Sequence, residues 1–282
     1  MSDTAANETA WVYCEEKAFS GASPWLLVQP YLTADKRRSL LAVSALLNEL
    51  WLLPDGVSET SIGINKLHWW QQQLSAPLPR QGGHPVLAVL AQVSARPQLP
   101  ISPLATLMQS LQQQMEQQSY ATVDHLWDDC VMLGSAAAEL SMTLVDGDSD
   151  DTLLPMGALR YFMTILGRIS TAADNSAPWP VPLSLQARHQ LNREQARRHP
   201  EQLSPMLSDL LADIEQRLAS GWPPAGMRVG NGRHLLLAAV LDQRRLQRLR
   251  RNPALLRQPR RRPWNLADAW AVWRRARVYP LP

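Results

Sequence analysis

The 282-residue sequence predicts an all-α protein, a single-domain helical bundle. Three observations carry that reading. Apolar residues recur three and four positions apart in nearly every segment, the spacing that lines one face of a helix. No segment alternates apolar and polar residues as a half-buried strand would, and no fixed-period repeat appears. Prolines and glycines fall between the periodic segments or in their first turns. With 45% hydrophobic and 19% charged residues the composition is globular, and a chain of this length buries about three quarters of its unfolded surface. No linker marks a second domain, so residues 1–282 form one unit, with 244–282 as an arginine-rich C-terminal helix and tail.

The elements follow in order. TADKRRSLLAVSALLNELWLL, from Thr33, is helical, with apolar positions at Leu40, Val43, Leu46, Leu47 and Leu50. Thr33 stands at its N-cap, and Pro54 and Gly56 end it. Ser58 caps a second helix, SETSIGINKLHWWQQQL, in which adjacent Trp69 and Trp70 cannot be equally buried. Pro85 and Pro103 open HPVLAVLAQV and SPLATLMQSLQQQMEQQ. Thr122 begins the long TVDHLWDDCVMLGSAAAELSMTLV, whose small residues from Gly134 to Ala138 let another helix approach closely. A helix covers Leu153 to about Ala173, and NSAPWPVPLSLQARHQL is too proline-rich to be helical at its start. Two further helices cover SPMLSDLLADIEQRLAS and GRHLLLAAVLDQRRLQRLRR, and a short one covers NLADAWAVWRRAR.

Several function classes fall away at this stage. Cys14 and Cys130 form no CxxC, which argues against cysteine zinc sites and a disulfide framework. DGDSDD, from Asp146, has the alternating aspartates of a calcium loop, but Asp151 stands where that loop needs glycine and Gly157 where it needs glutamate. There is no GxSxG, P-loop, GxGxxG or HExxH. His125 with Asp128 and Asp129 is a tight His–acid cluster, read as helix surface for want of a second ligand pair. No nucleic-acid module is present. The basic run from Arg244 to Arg262 offers charge to an anionic membrane or an acidic partner. The acidic N-terminus has no signal pattern and no apolar run spans a bilayer, so the expected location is cytoplasmic, or peripheral to a membrane.

The order of the pieces resembles the squalene/phytoene synthase family. The residues that carry the resemblance are PYLTADKRRSLLAVSALLNEL, KLHWWQQQL, GGHPVLAVL, SYATVDHLWDDCVMLGSAAAEL and PVPLSLQARHQL, spanning about Pro30 to Gln190. The resemblance implies the isoprenoid-synthase bundle. It also implies Mg-dependent head-to-head joining of two prenyl diphosphates, with two carboxylate clusters holding Mg for diphosphate departure.

The sequence departs from the family at both clusters. Where the family shows Arg-x-x-Asp-Asp-x-x-Asp, this chain has Asn48, Trp51, Leu52 and Asp55. Where the family shows Arg-Asp-x-x-x-Asp, it has Arg168, Ile169 and Ala173, with Asp174 one position late. DGVSETSIG, from Asp55, is also similar to a non-enzymatic branch, the mitochondrial complex I assembly factor of this fold. The expectation is a protein without catalysis, catalytic and metal-ligating residues or cofactor. It would act as a scaffold, an assembly factor or a lipid-binding protein, with a protein client or a lipid-like ligand. Asn48, Trp51, Asp55, Tyr120 and Arg168 are the candidate ligand-binding positions. The alternative is an active prenyltransferase that uses Mg through carboxylates such as Asp55, Asp128, Asp129 or Asp174.

Overall fold

A computed structural model describes residues 3–20, 23–54, 60–78, 83–94, 99–117, 119–172, 178–219, 231–256 and 264–278. Among the described residues there are thirteen α-helices and no strand. They are α1 (Asp3–Ala18), α2 (Trp25–Val28), α3 (Ala34–Trp51), α4 (Thr60–Ser75), α5 (Pro85–Val93), α6 (Ile101–Glu116), α7 (Val123–Asp146), α8 (Leu154–Ala172), α9 (Leu183–Arg188), α10 (Arg193–Arg198), α11 (Leu203–Ala219), α12 (Arg233–Arg251) and α13 (Leu266–Val278). None of them is long and apolar enough to cross a membrane.

α7 and α8 form the most extensive helix pair and stand at the centre, with α3, α6 and α12 packed on them. Two glycines set how near the pair can come. A Cβ built on Gly134 would strike the Gly157 carbonyl group, and one built on Gly157 would strike the Gly134 carbonyl and lie 2.7 Å from Ala138 Cβ. The small-residue run read from the sequence is therefore a backbone-to-backbone contact. The core around it is mainly leucine, with Leu46, Leu50, Leu111, Leu126, Leu133 and Leu140 fully buried beside the ring of Phe162.

The helix ends follow the sequence signals with some differences. Thr33 occupies the α3 N-cap position, but its side chain makes no capping bond. Thr122 caps α7 by accepting from His125 N–H. The expected cap Ser58 lies outside the described residues. Pro85 is the first residue of α5, whereas Pro103 is the third of α6. As adjacency requires, Trp70 is buried and Trp69 is 40% exposed.

α1, absent from the sequence reading, packs on α3 and α5. Trp11 Nε1 donates to Gln92 Oε1 at 3.1 Å, and Tyr13 Oη donates to Glu49 Oε1 at 2.6 Å. Lys17 Nζ stands 2.8 Å from the same Glu49 oxygen. Both cysteines are free and buried, Cys14 within α1 and Cys130 within α7. Burial, with help from the Glu49 charge, pushes the Cys14 thiol up to about 12. Cys130 is raised by burial as well.

A buried polar latch ties α7 to the start of α12. Ser141 Oγ shares a hydrogen bond of 2.9 Å with His234 Nε2. His234 Nδ1 stands 3.5 Å from Asp146 Oδ2. Asp146 also accepts from Lys36 Nζ at 2.6 Å and from Gly232 N–H at 2.8 Å. The order Ser–His–Asp is that of a hydrolase triad. Yet Ser141 and His234 are sealed, at 3% and 0% exposed, so no substrate reaches the hydroxyl. The latch is structural. Gly232 completes it with φ +77°, and a side chain there would meet Met142 and Leu153.

Candidate functional site

Three of the candidate positions, Trp51, Tyr120 and Arg168, gather around Gln114, a residue the sequence reading did not single out. Gln114 projects from α6 into the space between α6, α7 and α8 and is buried. Its Nε2 donates to Tyr120 Oη at 2.7 Å, and its Oε1 accepts from Tyr161 Oη at 2.8 Å. Arg168 Nη1 also donates to that oxygen, at 3.4 Å. One amide on α6 thus joins a phenol from the segment before α7 to a phenol and a guanidinium from α8. Burial raises both Tyr120 and Tyr161 above the ordinary phenol range. They remain neutral donors and acceptors at physiological pH.

Trp51, at the end of α3, closes one side of this cluster. It is 6% exposed and meets the Tyr161 ring edge-on at 5.4 Å between centroids. Its Nε1 is buried without a hydrogen-bond partner, as are Ser44 Oγ on α3 and Ser110 Oγ on α6. Ile169 follows Arg168 and is fully buried. Asn48 does not join the cluster. Its Nδ2 donates to Lys17 O at 2.6 Å, so its amide caps the end of α1. Asp55 and Asp174 lie outside the described residues.

The other carboxylates do not converge. His125 and Asp128 are exposed, while Asp129 on α7 is half-buried. Burial holds the Asp129 carboxyl above its ordinary range, with the Tyr120 hydroxyl beside it pulling the other way. Asp129 Oδ2 is buried without a partner. Among the described residues no three His, Cys, Asp or Glu side chains form a group able to hold a metal ion. The fit of Mg can be judged from the donors themselves. Mg takes oxygen ligands in a strict octahedron, and the indole of Trp51 and the alkyl group of Ile169 supply none. The residues at these two positions do not fit the metal.

An open cleft lies apart from this cluster, between α1, α3, α4 and the start of α5. It has a volume of about 380 Å³ and is lined by Lys17, Glu49, Leu52, Lys66, Trp69 and His84, among others. His84 Nδ1 accepts from Val86 N–H at 3.3 Å and so caps α5. Burial pushes its imidazole pKa down, which keeps it neutral. The Lys17–Glu49 pair at the mouth is mainly an anchor for α1.

The all-helical bundle built on the α7–α8 pair defines a protein of the isoprenoid-synthase fold. Squalene synthase HpnC from Alicyclobacillus acidocaldarius shares the fold at a TM-score of 0.58, with 16% identity over 89% of this chain and 95% of that one. A dehydrosqualene synthase solved in complex with ligand does so at 0.65, with 13% identity over 95% of each chain. The sequence profile of the squalene/phytoene synthase family matches residues 24–268, and the chain belongs to that family. No curated protein is similar enough in sequence to match it.

Proposed function

We propose that this family member has given up diphosphate ionisation and works as a non-catalytic scaffold or lipid-binding protein. The observation that carries the reading is the pair of buried apolar side chains, Trp51 and Ile169, at positions where the resemblance places metal-binding aspartates. Departure of an allylic diphosphate needs its developing charge neutralised by metal ions. An indole edge and an alkyl group cannot do that. The surrounding phenols and Gln114 form a closed hydrogen-bond set that favours a fixed interior over a metal cage. An assembly role follows from the similarity of DGVSETSIG to the assembly-factor branch.

The test is turnover. Purified protein given farnesyl or geranylgeranyl diphosphate with Mg should release no pyrophosphate above the protein-free blank. Release at an enzyme-like rate would overturn the reading. The competing reading is a Mg-dependent prenyltransferase. It draws on Asp129, whose inward oxygen has no partner and stands near Tyr120. On that reading Asp129→Asn would abolish a measurable wild-type rate.

A further inference from the structure

The arginine run that begins at Arg244 suggests a docking surface in the sequence, but its folded geometry moves that surface elsewhere. Arg244 Nε donates to Asp268 Oδ1 at 2.8 Å, and Arg248 Nη1 reaches both Asp268 oxygens at 2.9 and 2.7 Å. Arg250 pairs with Glu215. These charges hold α13 on α12 and α12 on α11. Arg257, Arg260, Arg261 and Arg262 lie outside the described residues. The inner side of α13 is Ala271, Val272 and Ala276, all buried, together with Asp268, whose backbone N–H donates to Asn265 Oδ1.

The outer side of α13 has a different character. Leu266 is 89% exposed, Trp270 55% and Trp273 40%. With Arg277 they fall at spacings of four, three and four residues, which is one line along a helix. Arg274 lies over the Trp270 ring at 4.9 Å and Arg277 over the Trp273 ring at 4.0 Å. The one acid on this helix, Asp268, is fully buried and doubly paired, so the outward charge is only positive.

We propose that this outer face of α13 docks the protein on an anionic lipid surface, lying in the headgroup layer without crossing it. Indoles with an apolar body and one N–H donor partition to that layer. A helix carrying leucine and tryptophan beside arginines is the kind that lies in the interface plane. Thirteen residues make a contact about 20 Å long. Anionic headgroups complement Arg274 and Arg277, and stacking on indole keeps each guanidinium at the edge of the apolar stripe. A convex line of side chains on one helix offers an acidic protein no groove to fill. The inference is independent of whether the protein catalyses a reaction.

The experiment is co-sedimentation of the full chain with vesicles of phosphatidylcholine, with and without phosphatidylglycerol. Binding should be strong only when phosphatidylglycerol is present. Arg274→Glu with Arg277→Glu should weaken it at least 30-fold, by about fivefold or more for each arginine removed from the surface field. Trp270→Ala with Trp273→Ala should weaken it about tenfold, and that loss should persist at high salt, where charge attraction is screened. Leu266→Ser, at a side chain that touches little, serves as a third variant should the others fold poorly, and it should also weaken binding. The proposal is overturned if the wild-type chain ignores anionic vesicles. It is equally overturned if all three variants bind as the wild type does, or if an acidic peptide is held by this face while vesicles are not.

Discussion

Gly157→Ala should destabilise the protein by about 3 kcal/mol or more, the upper end of what overpacking a well-filled core costs. The reason is the identity of what the new methyl would meet. It would run into the Gly134 carbonyl and lie 2.7 Å from Ala138 Cβ, and neither is the far end of a flexible side chain. Relief therefore requires α7 and α8 to separate, and the apolar contacts along the pair would loosen with them. Gly134→Ala should do the same from the other side, against the Gly157 carbonyl. Gly167→Ala is the control. The same helix offers that position open space, so the substitution should be neutral or slightly stabilising. Denaturant midpoints of the three variants measure the contrast.

The second large effect belongs to Asp146. Replacing it with alanine would leave the Lys36 ammonium, the Gly232 N–H and the His234 ring facing an empty buried corner. Removing one partner from such a set costs about 3–5 kcal/mol. Its titration gives an independent reading. Burial alone would raise the carboxyl, but the His234 imidazole, Lys36 and the Gly232 N–H outweigh it and lower the pKa from 3.8 to about 2. A carboxylate with a depressed folded pKa contributes stability above its unfolded pKa and loses it as pH falls through the folded one. The contribution, about 2 kcal/mol by linkage, should thus be present above about pH 4 and gone near pH 2. Asp146→Asn should flatten that part of the stability profile. An unchanged slope would show that the latch carries no such energy.

Much of the bundle could be read directly because long helices advertise themselves. α3, α6, α7 and α11 show apolar stripes broken by prolines and glycines, and their bounds fall within a few residues of expectation. α1 escaped because the larger apolar residues of DTAANETAWVYCEEKA run together from Trp11 to Cys14 and form no continuous stripe. Its place depends on Trp11, Tyr13 and Lys17 finding partners on other helices. α10 is six residues, too short for any period, and is fixed by the Asn192–Gln195 capping box. The site shows the same division. The residue types at positions 51 and 169 were visible, and so was the loss of oxygen donors there. The central part of Gln114 was not visible, because a glutamine within QQQ says nothing about which phenol it will meet 47 residues on. Nor did the arginine run disclose that its charges turn inward onto Asp268.

The two shielded thiols give the molecule an internal clock. A cysteine held as SH by its surroundings is a poor nucleophile until it meets water, and both Cys14 and Cys130 are in that condition. Alkylation of each should therefore be paced by the opening that uncovers it. Cys14 would time the lifting of α1 from its neighbours, a local event. Cys130 would time the breaching of α7 itself. If the N-terminal helix leaves first, the first label should come on well before the second, and mass spectrometry of a labelling time course would separate them.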